Sequence, residues 1–452
     1  MNPFVTNLMN RVIGARAAGV ILLLLLPGFL SLFADEREWS DRQGRTITAE
    51  LLEVHNGEIT IRRDDGREFT FSVDRLSEGD REYVAEYRRG REEAEASPEP
   101  TGEWDGPTVA PERFEVEVGG RNLWLPYASN RPIDEPCDRT TRILISIHGS
   151  AYNAMTYLRG GVRAAGQLPR ASRETLVVAP HLLRESRVPP DAGEGMLYWR
   201  GAPFWGSQRA YHGPDRQRVL ISAYDVLDRL LLHVADPGRF PNLEHVVVAG
   251  HSAGGQLVNR YAAASSFDLD GVRPDGVRVR YVVMAPSSYV YFDGKRPKGG
   301  TEAVFVEPES PPGNYNNYGR GLQSLYVHLR DVGADVMRER YRSRHVYYLV
   351  GENDNDPRGG GLGRSPASML QGRHRLERQL LYYDHLGEHF GPEIYQRHHQ
   401  AVVPGVGHSG PRLMRSQAGL RAIFDYDPSA PSPPSLPSRP SRPSRPSPPS
   451  RP

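Results

Sequence analysis

HVVVAGHSAGGQLVNRYAAA, residues 245–264, is the stretch from which the fold can be read. It opens with a continuous run of small and β-branched apolar residues. It then passes through Gly250-His251-Ser252-Ala253-Gly254 and continues in sequence of helical composition. Glycines two positions either side of a serine let the chain turn sharply from a strand into a helix, leaving the hydroxyl raised at the helix N-terminus. A Gly-x-Ser-x-Gly match alone is weak in a chain with 46 glycines. The apolar strand before it and the alanine-rich helix after it are the context this chemistry needs. Ser252 is therefore the candidate nucleophile, the alternative being a purely structural strand-to-helix turn.

Working outward, runs at 143–147, 176–179, 281–284, 346–350 and 401–403 share the uninterrupted apolar character of the first strand. Parallel strands buried on both faces read this way. Ahead of residue 245, Val219, Ala223, Val226, Leu227, Leu230, Leu231 and Val234 recur at helical spacing. Strand and helix alternating in this manner predict a doubly wound, mostly parallel α/β sheet over 112–428. A hairpin from Phe114 to Tyr127, turning at Gly119-Gly120, would add an antiparallel edge. Residues 183–212, with Trp199 and Trp205, show no regular pattern; they are expected either to shape a lid or pocket wall or to pack their tryptophans against the body.

A serine nucleophile needs a base, and the base needs a group to orient it. The final strand runs into VPGVGHSG, where glycines surround His408 and would let its ring turn back toward the serine. After 346–350 the chain reads GENDNDP; Asp354 is the candidate acid and Asp356 its alternative. Two backbone N–H groups must converge on the developing oxyanion. Ala253 would give one, and Ser150 or Ala151, in the His148-Gly149-Ser150-Ala151 loop, the other; an ordinary glycine turn is the alternative for that loop. The acidic run also raises a calcium loop, but Arg358 and three glycines stand where further oxygen ligands would be needed. No metal and no cofactor are expected.

Together these segments resemble the α/β-hydrolase family across nearly the whole of 112–428, in particular secreted microbial hydrolases carrying RFPNLEHVVVAGHSAGGQLVNRYA, APSSYVYF and VPGVGHSG. The resemblance implies a Ser-His-Asp triad and an acyl-enzyme intermediate. It leaves the substrate open, since the fold hosts esterases, lipases, peptidases and lyases. The expected function is hydrolysis of a carboxylic ester, small or polymer-borne. A peptidase or amidase with the same triad, and a catalytically silent binding protein, are the alternatives.

The rest of the chain is organised around this domain. Arg11 and Arg16 precede an apolar run, interrupted by Pro27 and Gly28, that ends at Ala34. That is the layout of a secretory signal removed after Ala34, with an uncleaved anchor as the alternative, and it predicts a periplasmic or extracellular protein. Residues 36–89 alternate apolar and polar side chains between turn signals at Asn56-Gly57 and Asp65-Gly66, then enter a short helix capped by Ser77. REWSDRQGRTITAELLEV and REFTFSVDRLSEGD in this region resemble the Sla1 homology domain 1, an SH3-like barrel. The likeness implies a surface or protein ligand for the module. Residues 90–111 read as a linker and 429–452, nearly all Pro, Ser and Arg, as a disordered tail. A net charge of +1 gives no electrostatic case for a nucleic-acid partner. The single cysteine, Cys137, excludes an intramolecular disulfide and is read as a structural thiol.

Overall fold

The computed structural model describes residues 36–55, 57–62, 67–81, 84–85, 109–200, 203–206, 210–267 and 276–426. The expected signal at 1–34, the Asp65-Gly66 turn, most of the linker and the tail at 429–452 lie outside the described residues. The chain divides into two compact units, Met1–Arg81 and Glu82–Pro452.

The first unit is an antiparallel meander of β1 (Glu36–Ser40), β2 (Thr46–His55), β3 (Glu58–Arg62) and β4 (Glu68–Ser72). Trp39, Ala49, Ile59, Ile61 and Leu76 are buried in it, and the Trp39 indole N–H donates to the Ala49 carbonyl at 2.9 Å. An Asp41–Leu76 bridge and a Ser77 N–H bond to the Ser40 carbonyl bring the end of the meander back to its beginning. The Ser77 hydroxyl accepts from the Asp80 N–H at 3.3 Å, the expected helix cap. The apolar–polar alternation of 36–89 sets Phe69 on the same face as Phe71, the apolar face of that strand, yet Phe69 is 38% exposed. Among the described residues β4 lies at the sheet edge, paired with β3 alone.

The second unit opens with the hairpin of β5 (Glu112–Val118) and β6 (Arg121–Ser129), turning through Gly119 and Gly120, both at positive φ. Next come β7 (Arg142–Ile147), helix α1 (Ala154–Gly166) and β8 (Thr175–Pro180). Three short strands follow, β9 (Leu197–Trp199), β10 (Ala210–His212) and β11 (Gln217–Val219), which pair antiparallel. After α2 (Ala223–Val234) come β12 (His245–His251), α3 (Ala253–Ala264) and β13 (Arg278–Met284). The remainder holds the hairpin β14 (Arg296–Lys298) and β15 (Glu302–Val306), then α4 (Ala334–Ser343) and β16 (His345–Gly351). It closes with α5 (Arg375–Phe390), β17 (His398–Val403), α6 (Gly410–Arg415) and α7 (Gln417–Phe424).

The main sheet has eight strands in the order β5-β6-β8-β7-β12-β13-β16-β17. Neighbours from β8 to β17 are parallel, while β6 joins β8, and β5 joins β6, antiparallel. This is the doubly wound sheet of an α/β-hydrolase fold. Every residue of β7, β8 and β12 is buried, which is why their sequences read as apolar runs instead of alternations. Side chains still alternate between two cores. Ile143, Ile145, Val246 and Val248 pack with α2 and α3, whereas Leu144, Val177, Val247 and Leu349 pack with α1, α6 and α7. Of the two readings offered for 183–212, packing describes Trp199, which is 1% exposed within β9. Trp205 lies under the Arg260 guanidinium at 4.1 Å.

Candidate active site

Ser252 joins β12 to α3 with φ 56° and ψ −116°, a conformation that costs an L-residue of this kind on the order of 1–3 kcal/mol. The surrounding glycines make it sterically feasible. A Cβ on Gly250 would lie 2.4 Å from the Gly254 carbonyl oxygen, and one on Gly254 would lie 2.5 Å from that of Ile147. The Ser252 N–H donates to the Met284 carbonyl at 2.9 Å, tying the turn to the end of β13. The serine is thus held at the C-terminal end of a central parallel strand, where open α/β sheets expose their crevice.

His408 and Asp354 arrive from the ends of the last two strands. His408 Nε2 is 3.0 Å from Ser252 Oγ, and Asp354 Oδ2 is 2.6 Å from His408 Nδ1. With the carboxylate accepting at Nδ1, that nitrogen carries the proton and Nε2 is free to accept from the serine. The two loops are laced together: Asn353 N–H donates to the Val406 carbonyl at 2.9 Å, and Gly405 N–H donates to Glu352 Oε2 at 3.0 Å. Asp356, the alternative acid, is exposed and accepts from the Arg358 N–H at 2.8 Å, capping its own turn.

The loop after β7 presses directly on the serine, because a Cβ on Gly149 would meet Ser252 Cβ at 3.4 Å. Two buried histidines set its carbonyls. Leu182 N–H donates to His148 Nε2 at 3.0 Å, so His148 Nδ1 carries the proton and donates to the Gly149 carbonyl at 2.9 Å. Ala110 N–H likewise donates to His181 Nδ1, leaving His181 Nε2 to donate to the Tyr152 carbonyl at 2.7 Å. Burial presses the His148 pKa down to about 3 and that of His181 to about 4, so both remain neutral and keep these tautomers. In a trans peptide the C=O and the following N–H point in opposite directions. Fixing the Gly149 carbonyl therefore also fixes the Ser150 N–H. Ala253 is the first residue of α3, where an N–H has no partner inside the helix. Ser150 and Ala151 are exposed beside the site.

Sequence reasoning missed three members of this neighbourhood. Arg375, at the start of α5, places Nη1 3.4 Å from Asp354 Oδ1 with both side chains buried. Only its distance from 354 along the chain hid it. His251 was passed over as the variable position of the serine motif. Its ring lies 4.4 Å from that of His408, and the Tyr157 hydroxyl is 2.8 Å from its Nδ1. Burial, with His408 and Arg375 adding to it, holds the His251 pKa well below the usual value, so no second imidazolium opposes His408. Arg260, on α3, donates to the Phe204 and Gly319 carbonyls and anchors both segments to the helix that follows Ser252. Cys137 is half-buried before β7, where its sulfur accepts from Arg131 Nη1 at 3.5 Å and its thiol lies beside Thr140. A cleft of about 650 Å³ lined by Arg139, Thr141, Arg173, Glu174 and Arg278 lies at the N-terminal ends of β7, β8 and β13, the end of the sheet away from Ser252.

The sequence matches no protein-family model and no curated protein. Among solved structures it is similar to poly(aspartic acid) hydrolase-1 from Sphingomonas sp. KT-1, at 20% identity over 68% of this chain and 96% of that one, with a TM-score of 0.42. LpqC, a poly(3-hydroxybutyrate) depolymerase from Bordetella parapertussis, is similar at 20% identity over 70% and 90%, TM-score 0.44. The siderophore hydrolase EstB from Aspergillus nidulans is similar at 16% identity over 72% and 98%, TM-score 0.37.

Proposed function

We propose that the protein is a serine hydrolase that cleaves carboxylic esters through an acyl-enzyme intermediate, with Ser252 as nucleophile, His408 as general base and Asp354 as the acid that orients it. The observation that carries this reading is the hydrogen-bonded relay from Asp354 through His408 to Ser252, with spacings of 2.6 and 3.0 Å, ending on a serine held in a strained turn. In the proposed cycle His408 Nε2 takes the Ser252 proton as Oγ attacks the carbonyl carbon. The resulting oxyanion accepts hydrogen bonds from the N–H of Ala253 and that of Ser150 or Ala151. His408 then returns the proton to the departing alkoxide, leaving an acyl-serine and an alcohol. A water molecule, deprotonated by the same imidazole, attacks the acyl group, and the proton passes back to Ser252 as the acid leaves.

The signal-like sequence at 1–34 supports export, and the β-strand module at 36–89 is assigned a binding role separate from the hydrolytic chemistry. The test is labelling of the intact protein with a fluorophosphonate probe, followed by turnover of a p-nitrophenyl ester series of increasing acyl length. Labelling at Ser252 and its loss in Ser252→Ala are expected, with turnover of at least the short esters. No labelling would leave the silent binding protein as the reading. Labelling with peptide or amide turnover but none of esters would move the substrate to the amidase alternative.

A further inference from the structure

Helix α5 carries a second constellation, well removed from the serine. His385 and His389 lie four residues apart on one face of the helix, and Asp293, from the segment between β13 and β14, reaches both. Asp293 Oδ1 is 3.0 Å from His385 Nε2, and Oδ2 is 3.0 Å from His389 Nδ1. The two imidazoles are 11° from parallel, so both present a nitrogen to the same carboxylate. One donor atom from each residue falls within 4.8 Å of the other two. The rings are held in place by packing, with Tyr291 centred 4.5 Å and Phe305 5.2 Å from His385, and the Lys295 N–H fixes Asp293 Oδ1 at 2.9 Å.

We propose that Asp293, His385 and His389 bind one divalent transition-metal cation, zinc being the type case, which ties the segment after β13 to the C-terminal half of α5. Two imidazole nitrogens with one carboxylate oxygen suit zinc and its first-row neighbours, whereas calcium and magnesium call for all-oxygen sets. Ligands about 2.1 Å from a metal, at tetrahedral or octahedral angles, stand roughly 3.0–3.4 Å apart. Each imidazole nitrogen stands at that spacing from one carboxylate oxygen, and no donor atom is more than 4.8 Å from the other two, so an ion can replace the shared protons once the donors close in on it. His385 is buried, while the side chains of Asp293 and His389 retain 24% and 20% exposure. That leaves a path for the ion and room for water to complete its shell. At 1.5 Å per residue, His385 lies about 15 Å along the helix from Arg375, the residue of α5 that meets Asp354. The cation is therefore structural: it holds one end of a helix whose other end supports the acid.

The plain alternative is a carboxylate accepting two imidazole N–H bonds with no ion. To separate the two, the full chain is treated with a chelator, exchanged into metal-free buffer and titrated with zinc chloride by calorimetry and by thermal melting. One zinc per chain and a Tm that rises with zinc concentration are expected. Because His385 is fully buried, the comparison variants are made at the partly exposed positions. His389→Ala and Asp293→Asn should each lose stoichiometric binding and the zinc-dependent rise in Tm, with unchanged near-ultraviolet circular dichroism. Binding that persists in both variants overturns the assignment of ligands, and no binding to the unaltered chain overturns the site. An equal rise in Tm with calcium or magnesium chloride overturns the cation class.

Discussion

Arg375 Nη1 stands 3.4 Å from one oxygen of Asp354 while the other oxygen of the same carboxylate accepts from His408 Nδ1. The guanidinium also donates to the Gly360 carbonyl at 2.6 Å, fastening the far side of the acid loop. Arg375 is thus a positioning residue acting through Asp354. Removing it leaves a buried carboxylate with one partner, and breaking a buried pair in this way costs about 3 kcal/mol. Arg375→Met is expected to lose roughly that much stability in denaturant unfolding and about tenfold in kcat, or ~1.4 kcal/mol of barrier, with KM little changed. Arg375→Lys should recover part of kcat. Unchanged kcat in the methionine variant would show that His408 alone fixes the acid.

The two acids of the same loop should separate cleanly. Asp354→Asn is expected to lower kcat by about 10⁴, as a mis-set imidazole tautomer does in related triads. Asp356 is exposed and caps its own turn, so Asp356→Asn should stay within about threefold of the parent, ~0.65 kcal/mol of barrier. The reverse ranking in steady-state assays would transfer the role to Asp356.

Glycine at 254 is required by space. A Cβ there would lie 2.5 Å from the Ile147 carbonyl oxygen and 2.6 Å from that of His148, both backbone atoms that cannot step aside. Gly254→Ala should cost about 1–3 kcal/mol in stability and abolish fluorophosphonate labelling by displacing the elbow. Gly166, the last residue of α1, has nothing within 4 Å of a built Cβ and no positive φ. Gly166→Ala should therefore gain a few tenths of a kcal/mol through helix propensity. Melting curves of the pair check both signs.

Asp425, in left-handed conformation at the end of α7, bonds Arg142 at 2.8 Å and also Arg280. Burial pushes its pKa upward, but the two guanidinium charges outweigh that and hold it below the ordinary value of 3.8. A carboxylate depressed in the folded state adds stability that is fully present above its unfolded pKa and disappears as pH falls through the folded one. Asp425→Asn should therefore lower stability at pH 7 by about 1 kcal/mol, since the group is partly exposed and screened. The gap between variant and parent should close as pH falls below 3.8 and through the depressed folded-state value. A gap that persists once the carboxylate is protonated would assign the loss to packing.

The start of the domain that carries Ser252 can be located by activity. Ala110 is buried, and its N–H sets the His181 tautomer that grips the Tyr152 carbonyl. A chain spanning 109–427 is expected to hydrolyse a small ester near the full-length rate, the first unit and the tail being unnecessary for chemistry. One spanning 112–427 loses that N–H and should show a lower kcat, as a loosened oxyanion loop predicts. Equal kcat for the two would mean that His181 is held without Ala110, and aggregation of the longer one would mean that the first unit is needed for folding.

The main architecture was legible because its signals are local. Runs such as 143–147 and 245–249 must be apolar on both faces to sit inside a parallel sheet, and Gly250 and Gly254 must lack side chains for the chain to turn at Ser252. His408 and Asp354 could be picked out because each closely follows a strand that is itself legible, so chain order places them at one end of the sheet. Phe69 was misplaced because alternation reports which side chains share a face, whereas burial depends on what covers that face.

The sequence by itself therefore pointed to the buried strands of the main sheet, the serine turn, and a short set of candidate residues beyond those strands, but not to the short strands β9–β11 or the β14–β15 hairpin. Tertiary structure alone decided the rest. It brought the Asp354 carboxylate within 2.6 Å of the His408 imidazole and left Asp356 exposed in its own turn, and it supplied Arg375, His251 and the His148–His181 clamp. Those partners lie from 21 to 157 residues away from the groups they touch, Arg375 from Asp354 and His251 from His408. Hydrogen bonds and ring contacts act over a few ångströms of space, and only the packed sheet converts such separations along the chain into that distance.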